Sequence, residues 1–216
     1  MYTNIYLSTY LCKCSCRGGL CTGSSIIPSW NFQGVLPPIN PGNTAISRNR
    51  SPYRVLLNEF VLQFGTSPHR RGLLGNLLAF RSMLHDIGVV AGFQWLDGSF
   101  CECAESLRSQ PPNDIDVVTF YVVPEGQTQQ TLEAGHPQLF DHDYVKDNYN
   151  LDTYFYELKS STIRKLVSEC TYWYSLWSHQ RDTFLWKGYL QIDLSPTNDS
   201  IAKDILNGII AQGGTP

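Results

Sequence analysis

The chain has few charged residues and no long apolar run. Asp, Glu, Lys and Arg together make up 16% of its 216 residues, whereas hydrophobic residues make up 42% and aromatic residues 12%. This composition argues against an intrinsically disordered chain, because enough apolar surface is available to form a core. The absence of an apolar run of about 18 residues argues against a transmembrane helix.

The N-terminal sequence MYTNIYLSTYLCKCSC lacks the basic start and the long apolar segment of a secretory signal. We therefore expect a cytoplasmic protein. The first 25 residues also lack a pattern that resembles the rest of the chain. We expect a disordered or non-native tail over residues 1–25 and a single domain over residues 26–216.

The chain lacks paired C-x2-C knuckles, the spacing that typifies zinc sites. Four of its seven cysteines nevertheless lie in the segment CKCSCRGGLC, as Cys12, Cys14, Cys16 and Cys21. This spacing leaves open both a metal site and plain thiols in a tail. The remaining cysteines, Cys101, Cys103 and Cys170, are expected to be ordinary reduced thiols.

Charge is distributed unevenly along the chain, although the formal net charge is only −3. Residues 1–100 contain eight Lys and Arg and three Asp and Glu. Residues 101–216 contain eight Lys and Arg and sixteen Asp and Glu. A basic first half and an acidic second half would suit an anionic ligand held beside metal-binding carboxylates. A solvated charge pattern without a role is the alternative.

Hydrophobic periodicity predicts helices that alternate with strands, without internal repeats. Helices are predicted over residues 53–64, 67–88, 101–110, 138–150, 162–177 and 200–211, the first two preceded by Ser-Pro start signals. Strands are predicted over residues 89–96, 114–123, 151–158 and 185–194. Residues 26–52 are predicted to be extended and residues 125–138 to form a loop. The alternation predicts an α/β (α+β) fold with a single mixed β-sheet flanked by helices.

Asp114 and Asp116 lie two residues apart at the start of a predicted strand, in the segment PPNDIDVVTF. Side chains with this spacing leave the same face of a strand. Two carboxylates this close repel each other unless a cation lies between them, and oxygen ligands suit Mg²⁺ or Mn²⁺. The alternative interpretation is that both aspartates are ordinary turn residues after Pro and Asn and bind no ligand.

Asp152 heads a later predicted strand, in the segment LDTYFYEL. If the two strands are neighbours, three aspartates converge on a two-metal site for phosphoryl or nucleotidyl displacement. Gly98 and Ser99 follow another strand, in the segment GFQWLDGSF. Glycine lets phosphates approach the backbone, whose N–H groups can bind them together with the serine hydroxyl. The pattern predicts a phosphate-bearing substrate.

This combination of motifs resembles the nucleotidyltransferase superfamily, which has the polymerase-β-like fold. Its pattern is hG[GS] after a strand, [DE]h[DE]h at the head of the next strand, and a third acidic residue on a later strand. Blocks such as GVLPP, SPHRRGLL, YWYSLWSHQRD and WKGYLQI also look like those of a poorly characterised bacterial and phage-associated family of that superfamily, over roughly residues 30–195.

Carried onto this chain, the resemblance implies that Gly98 and Ser99 hold a triphosphate. It further implies that Asp114 and Asp116 bind two Mg²⁺ or Mn²⁺ ions. Asp152 is then expected to bind the catalytic ion and to orient the attacking hydroxyl. The implied activity is transfer of a nucleoside monophosphate from a nucleoside triphosphate to a hydroxyl of a protein, an RNA or a small molecule.

Basic side chains add candidates for phosphate contacts. Arg70 and Arg71 near a helix start, and Lys187 beside the last strand, are predicted to contact the nucleotide. Weaker candidates for phosphate or RNA contacts are Arg48, Arg50, Arg54, His179 and Arg181. For each of these, a solvated surface charge is the alternative.

Aromatic and histidine side chains are further candidates. Five aromatic residues could either stack a base or belong to the core, and the core is the stronger interpretation. These residues are Tyr172, Trp173, Tyr174, Trp177 and Trp186. A loop with His136, His142 and Asp143 is weak evidence for a transition metal.

Two other functions stay open. One is a catalytically silent binding or regulatory protein, with a protein partner in a toxin–antitoxin or phage-defence pair. The other is nucleic-acid binding through the basic first half of the chain. The intact set of aspartates argues against the first, and the net charge of −3 argues against the second.

Overall fold

The computed structural model describes residues 27–213, so the predicted tail and the cysteines of CKCSCRGGLC lie outside the described residues. The described chain contains five strands, β1 Tyr53–Val55, β2 Gly92–Asp97, β3 Ile115–Tyr121, β4 Leu151–Glu157 and β5 Leu190–Asp193. It also contains eight α-helices, α1 Leu57–Phe64, α2 Pro68–Asp86, α3 Ala104–Arg108, α4 Gln129–Gly135, α5 Pro137–Phe140, α6 His142–Tyr149, α7 Ile163–Trp177 and α8 Asp199–Gly213.

The five strands form one mixed sheet in the order β1-β5-β2-β3-β4. The outer pairs, β1 with β5 and β3 with β4, are parallel, whereas β2 runs antiparallel to both β5 and β3. The α/β fold with a single mixed sheet, expected from the sequence, is confirmed. This topology places the first residues of β3 and β4 beside the last residues of β2.

One face of the sheet is covered by α1, α2 and α8. The long helix α2 begins where the sequence predicts, since the Ser67 side chain caps it by accepting a hydrogen bond from the Arg70 N–H over 3.2 Å. Its leucines at helical spacing, Leu73, Leu77 and Leu84, are buried in a cluster that includes strand residues. Burial of this apolar stripe is what fixes the helix against the sheet.

The opposite face of the sheet packs against α7. Trp173 and Trp177, one helical turn apart, are buried in a second cluster with Trp95, Val118 and Phe120 from β2 and β3. The two tryptophan rings of α7 lie 5.1 Å apart in an edge-on arrangement. Burial of these two aromatic side chains contributes to the packing of α7 on the sheet.

The predicted helix over residues 53–64 is wrong at its start. Residues Tyr53–Val55 form β1, which pairs in parallel with Leu190–Ile192, and the helix begins only at Leu57. The Ser51 hydroxyl accepts a hydrogen bond from the Tyr189 N–H over 2.8 Å instead of capping a helix. A nonlocal strand partner decides this segment, and local sequence does not reveal it.

Two further predictions need correction. The predicted loop over residues 125–138 contains α4, which Thr128 caps by accepting a hydrogen bond from the Thr131 N–H. The predicted strand over residues 185–194 is regular only over Leu190–Asp193. Within the described residues, no helix is long and apolar enough to cross a membrane.

Candidate metal and nucleotide site

Three aspartates form one row at the ends of three adjacent strands, β2, β3 and β4. Asp116 at the start of β3 is the register partner of Asp97 at the end of β2 and of Asp152 at the start of β4. Register partners on adjacent strands point to the same face. The predicted meeting of Asp116 and Asp152 is therefore confirmed, and Asp97 is an additional carboxylate that the sequence did not single out.

Asp114 joins this row from the residues just before β3. One carboxylate oxygen from each of Asp114, Asp116 and Asp152 lies within 4.8 Å of the other two, and all three side chains are partly buried. We call these three residues the aspartate triad. This separation allows one small cation to contact all three side chains.

The carboxylate charges of the triad and of Asp97 are concentrated around Asp116. Burial, followed by the charges of Asp97, Asp114 and Asp152, raises the pKa of Asp116 to about 7. The Asp152 Oδ1 atom is buried and has no hydrogen-bond partner among the described residues. A buried carboxylate oxygen without a donor is costly unless another ligand approaches it. The donor set, oxygen atoms only, is the kind that Mg²⁺ and Mn²⁺ prefer.

The Gly-Ser turn packs directly on the triad. Gly98 follows β2 with φ of +80°, and Ser99 begins a single 3-10 turn that ends at Cys101. A Cβ atom at Gly98 would lie 2.4 Å from Asp116 Oδ2, far inside van der Waals contact. Gly98 is therefore required both for its backbone conformation and for the close approach of Asp116. The structure thus brings Gly98 against Asp116, with Ser99 as the next residue of the turn.

Lys187, a predicted nucleotide contact, lies beside this row of aspartates, but its side chain is buried and its ammonium is paired within the protein. Its Nζ atom lies 2.8 Å from both carboxylate oxygens of Asp97 and 3.3 Å from Glu102 Oε1. Burial lowers the pKa of Lys187, yet Asp97 and Glu102 outweigh that effect and hold the pKa above its usual value. Gln180 also donates a hydrogen bond to Glu102. These contacts place Lys187 behind the triad, as the counter-ion of Asp97.

Arg70 supports the Gly-Ser turn from within the protein. Its side chain is fully buried, and all three guanidinium nitrogens donate hydrogen bonds. The acceptors are the Glu105 carboxylate and the backbone carbonyls of Phe100 and Glu102, at 2.6 to 2.9 Å. The arrangement assigns Arg70 to holding the segment that follows β2, and leaves no nitrogen of this group for a phosphate.

Arg71 lies away from the triad. Its Nη1 atom donates a hydrogen bond to the Gly65 carbonyl over 3.3 Å. The side chain lines an open groove of about 820 Å³ between α2 and α8, together with residues such as Gly75, Leu78 and Lys203. None of the triad residues lines this groove. The structure therefore does not bring Arg71 to the other candidate nucleotide-binding residues.

Lys146 is a site residue that the sequence did not single out. It lies on α6, and its Nζ atom is 2.9 Å from Asp152 Oδ2 and 3.5 Å from Asp114 Oδ2. The hydrogen bond that Lys146 donates to Asp152 raises the pKa of Lys146, and partial burial opposes this effect. His142, one turn earlier, has its Nδ1 atom 3.5 Å from Asp152 Oδ1. The sequence signal was a His and a Lys four residues apart on the helix just before the strand of Asp152.

The weaker candidates divide between core and surface. Trp173 and Trp177 belong to the core, whereas Tyr172, Tyr174 and Trp186 are about half exposed. The His179 Nδ1 atom lies 3.1 Å from the neighbouring Ser178 hydroxyl. The three described cysteines, Cys101, Cys103 and Cys170, are free thiols, and burial raises the pKa of Cys101 well above its usual value.

Comparison with known proteins gave one family match. The model of a family described as being of unknown function (DUF6932) matches residues 28–193, a range that includes the whole candidate site. No curated protein matches the chain, and no solved structure matches it.

Proposed function

We propose that this chain, which belongs to the family of unknown function DUF6932, is a metal-dependent nucleotidyltransferase. It would transfer a nucleoside monophosphate from a nucleoside triphosphate to a hydroxyl group. The observation that carries the proposal is the aspartate triad, whose oxygens lie within 4.8 Å of one another beside a glycine turn. An enzyme of this kind needs carboxylates and a phosphate-binding backbone segment side by side.

The residues fit Mg²⁺ or Mn²⁺ better than other cations. All candidate ligand atoms are carboxylate oxygens, and no cysteine belongs to the described group. Asp152 Oδ1 accepts no hydrogen bond within the described residues, with His142 Nδ1 3.5 Å away, so this oxygen can accept a cation as a ligand. We propose that Asp114 and Asp116 hold two ions, and that Asp152 holds the catalytic one.

The remaining polar groups have separate roles in this proposal. Backbone N–H groups and the hydroxyl at Gly98 and Ser99 bind the β- and γ-phosphates. Lys187 keeps Asp97 ionised and in place behind Asp116. Arg70 fixes the turn through the Phe100 and Glu102 carbonyls.

The proposed reaction conserves atoms and charge. The oxygen of the acceptor hydroxyl attacks the α-phosphorus, and a new phosphoester bond forms. The bond between the α-phosphorus and the bridging oxygen to the β-phosphate breaks, and pyrophosphate leaves with the electron pair. Asp152 orients the hydroxyl and accepts its proton. When bound, the metal ions supply positive charge that stabilises the charge developing on the phosphate oxygens.

The acceptor in this proposal is a protein, an RNA or a small molecule, and one experiment distinguishes them. The wild-type protein is incubated with each nucleoside triphosphate labelled at the α-phosphate, with Mg²⁺ or Mn²⁺, and with total cell protein, RNA or small-molecule extract. Label that moves to one fraction identifies the acceptor class. The Asp114→Ala/Asp116→Ala variant should transfer none. Asp204→Asn, an exposed carboxylate of α8, is the matched control and should transfer as the wild type does.

A catalytically silent binding protein is the second candidate. It is favoured by the ammonium of Lys146, which neutralises part of the triad without a metal ion. This alternative requires that neither metal nor nucleotide stabilise the folded protein, and that no label be transferred. Thermal unfolding with and without Mn²⁺ and each nucleoside triphosphate separates the two functions, because a ligand that binds only the native state raises the melting temperature.

A further inference from the structure

We propose that Lys146 is an exchangeable cation of the site. In the metal-free protein its ammonium group neutralises Asp114 and Asp152, and when a divalent ion binds, the ammonium moves to a phosphate of the substrate. This inference rests on the proposed function, because it requires that the triad bind a metal ion and a triphosphate.

The geometry places the ammonium where a metal ion would compete with it. Lys146 Nζ lies 2.9 Å from Asp152 Oδ2 and 3.5 Å from Asp114 Oδ2, so it bridges two members of the triad. A divalent ion on Asp152 Oδ1 would share that carboxylate with the ammonium on Oδ2, and the two cations would repel each other at this short range. Binding of metal therefore favours movement of Lys146 away from the triad.

The exposure of the Lys146 side chain permits that movement. Its side chain is 43% exposed, on the helix that leads through Asn150 into β4. An ion pair with this exposure contributes little stability, so its loss is easily offset by a metal ion. Lys187 is the opposite case, since its side chain is 4% exposed and held by two carboxylates. One lysine is thus a permanent counter-ion, and the other is free to leave.

The exposed side of the triad is where a substrate phosphate arrives. Lys146 occupies that side, and a lysine ammonium on a flexible stem is a common phosphate ligand. Arg70 and Lys187 are fully engaged in the protein interior, and Arg71 lines the groove between α2 and α8. Of Arg70, Arg71, Lys187 and Lys146, Lys146 is the one whose ammonium contacts the triad on an exposed side chain.

The test measures metal and phosphate binding separately in the variant Lys146→Met. Mn²⁺ alone is titrated by electron paramagnetic resonance, and tripolyphosphate is titrated by calorimetry in the presence of saturating Mn²⁺. Removal of the competing cation is expected to tighten Mn²⁺ binding roughly fivefold. Removal of the phosphate ligand is expected to weaken tripolyphosphate binding roughly tenfold. Lys146→Arg keeps the charge and should retain most of the tripolyphosphate affinity.

The diagnostic result is a Lys146→Met variant with higher affinity for Mn²⁺ and lower affinity for tripolyphosphate than the wild type. Lys203→Met, which removes an exposed lysine on α8, is the matched control and should change neither affinity. If Lys146→Met weakens the binding of both Mn²⁺ and tripolyphosphate, the exchange model is wrong and the proposed function stands. The same conclusion follows if the wild type binds Mn²⁺ and the variant binds it with unchanged affinity. If neither protein binds Mn²⁺, the proposed function fails, and this inference fails with it.

Discussion

Asp97 and Asp116 lie directly opposite each other on the antiparallel strands β2 and β3. Like charges in this relationship destabilise a sheet. The protein compensates for one of them only, because Lys187 Nζ lies 2.8 Å from both oxygens of Asp97. Asp116 is left facing three carboxylates, which suits a residue that binds an added cation.

The substitution Asp116→Asn is expected to stabilise the metal-free protein at high pH. The folded-state pKa of Asp116 is about 7, above the ordinary value of 3.8. The folded protein therefore holds a proton that the unfolded chain releases between pH 4 and 7, and stability falls as pH rises through this window. At pH 8 the variant should melt at least about 2 °C above the wild type, and the difference should vanish near pH 4.

The same variant should lose its response to metal. Mn²⁺ is expected to raise the melting temperature of the wild type at pH 8 and to leave that of Asp116→Asn unchanged. The control is Asp204→Asn, which should match the wild type with and without Mn²⁺. A variant that is less stable than the wild type at pH 8 would show that Asp116 has an unrecognised stabilising partner.

The substitution Gly98→Ala should damage the site more than a similar substitution elsewhere. At Gly98 the added methyl group meets Asp116 Oδ2 at 2.4 Å, whereas at Gly126, with φ of +81°, nothing lies within 4 Å. Gly126→Ala is expected to cost only the conformational strain, roughly 1–2 kcal/mol. Gly98→Ala should cost more and should also weaken Mn²⁺ binding. Denaturant unfolding and Mn²⁺ titration of both variants measure this, and equal effects would contradict the close approach.

Loss of Lys187 is expected to destabilise the protein strongly. The substitution Lys187→Met leaves Asp97 and Glu102 buried without their shared cation. Breaking a buried ion pair from one side costs about 3–5 kcal/mol. The double variant Asp97→Asn/Lys187→Met should recover part of this loss. Urea unfolding at pH 8 measures the free energies, and a single-variant cost below about 1 kcal/mol would mean that water already solvates the pair.

Arg70→Met should act through stability and the shape of the turn. The change removes the donors to two backbone carbonyls and to Glu105, and we expect a cost of about 3 kcal/mol. Arg71→Met removes a side chain that is not fully buried and should cost less. Urea unfolding compares the two. If Arg70→Met kept full stability but lost nucleotide affinity, Arg70 would be a direct phosphate ligand, as the sequence predicts.

Much of the fold was accessible from sequence periodicity. The apolar stripe of α2 and its Ser67 cap are local features, and the structure has the helix where they predict it. The start of the predicted helix over residues 53–64 was wrong because β1 exists only through its pairing with β5. A three-residue strand has no periodicity of its own, so no local pattern could have revealed it.

The candidate site shows the same division. The two-residue spacing of Asp114 and Asp116 predicted their shared face, and Asp152 at a strand start predicted the third carboxylate of the group. Asp97 lacked such a signal, and Lys146 had only its four-residue spacing from His142. The first needed the register of two strands, and the second needed the packing of α6 against β4.

The sequence by itself determined the α/β class, the buried face of α2 and the set of three aspartates, because these depend on spacing along one segment. The tertiary structure decided which charged groups are buried and paired inside the protein. The sequence predicted Arg70 and Lys187 as phosphate ligands. The fold instead buries both side chains among carboxylates and carbonyls. A charge moved from water to the interior must find its partners there, and those partners come from distant parts of the chain.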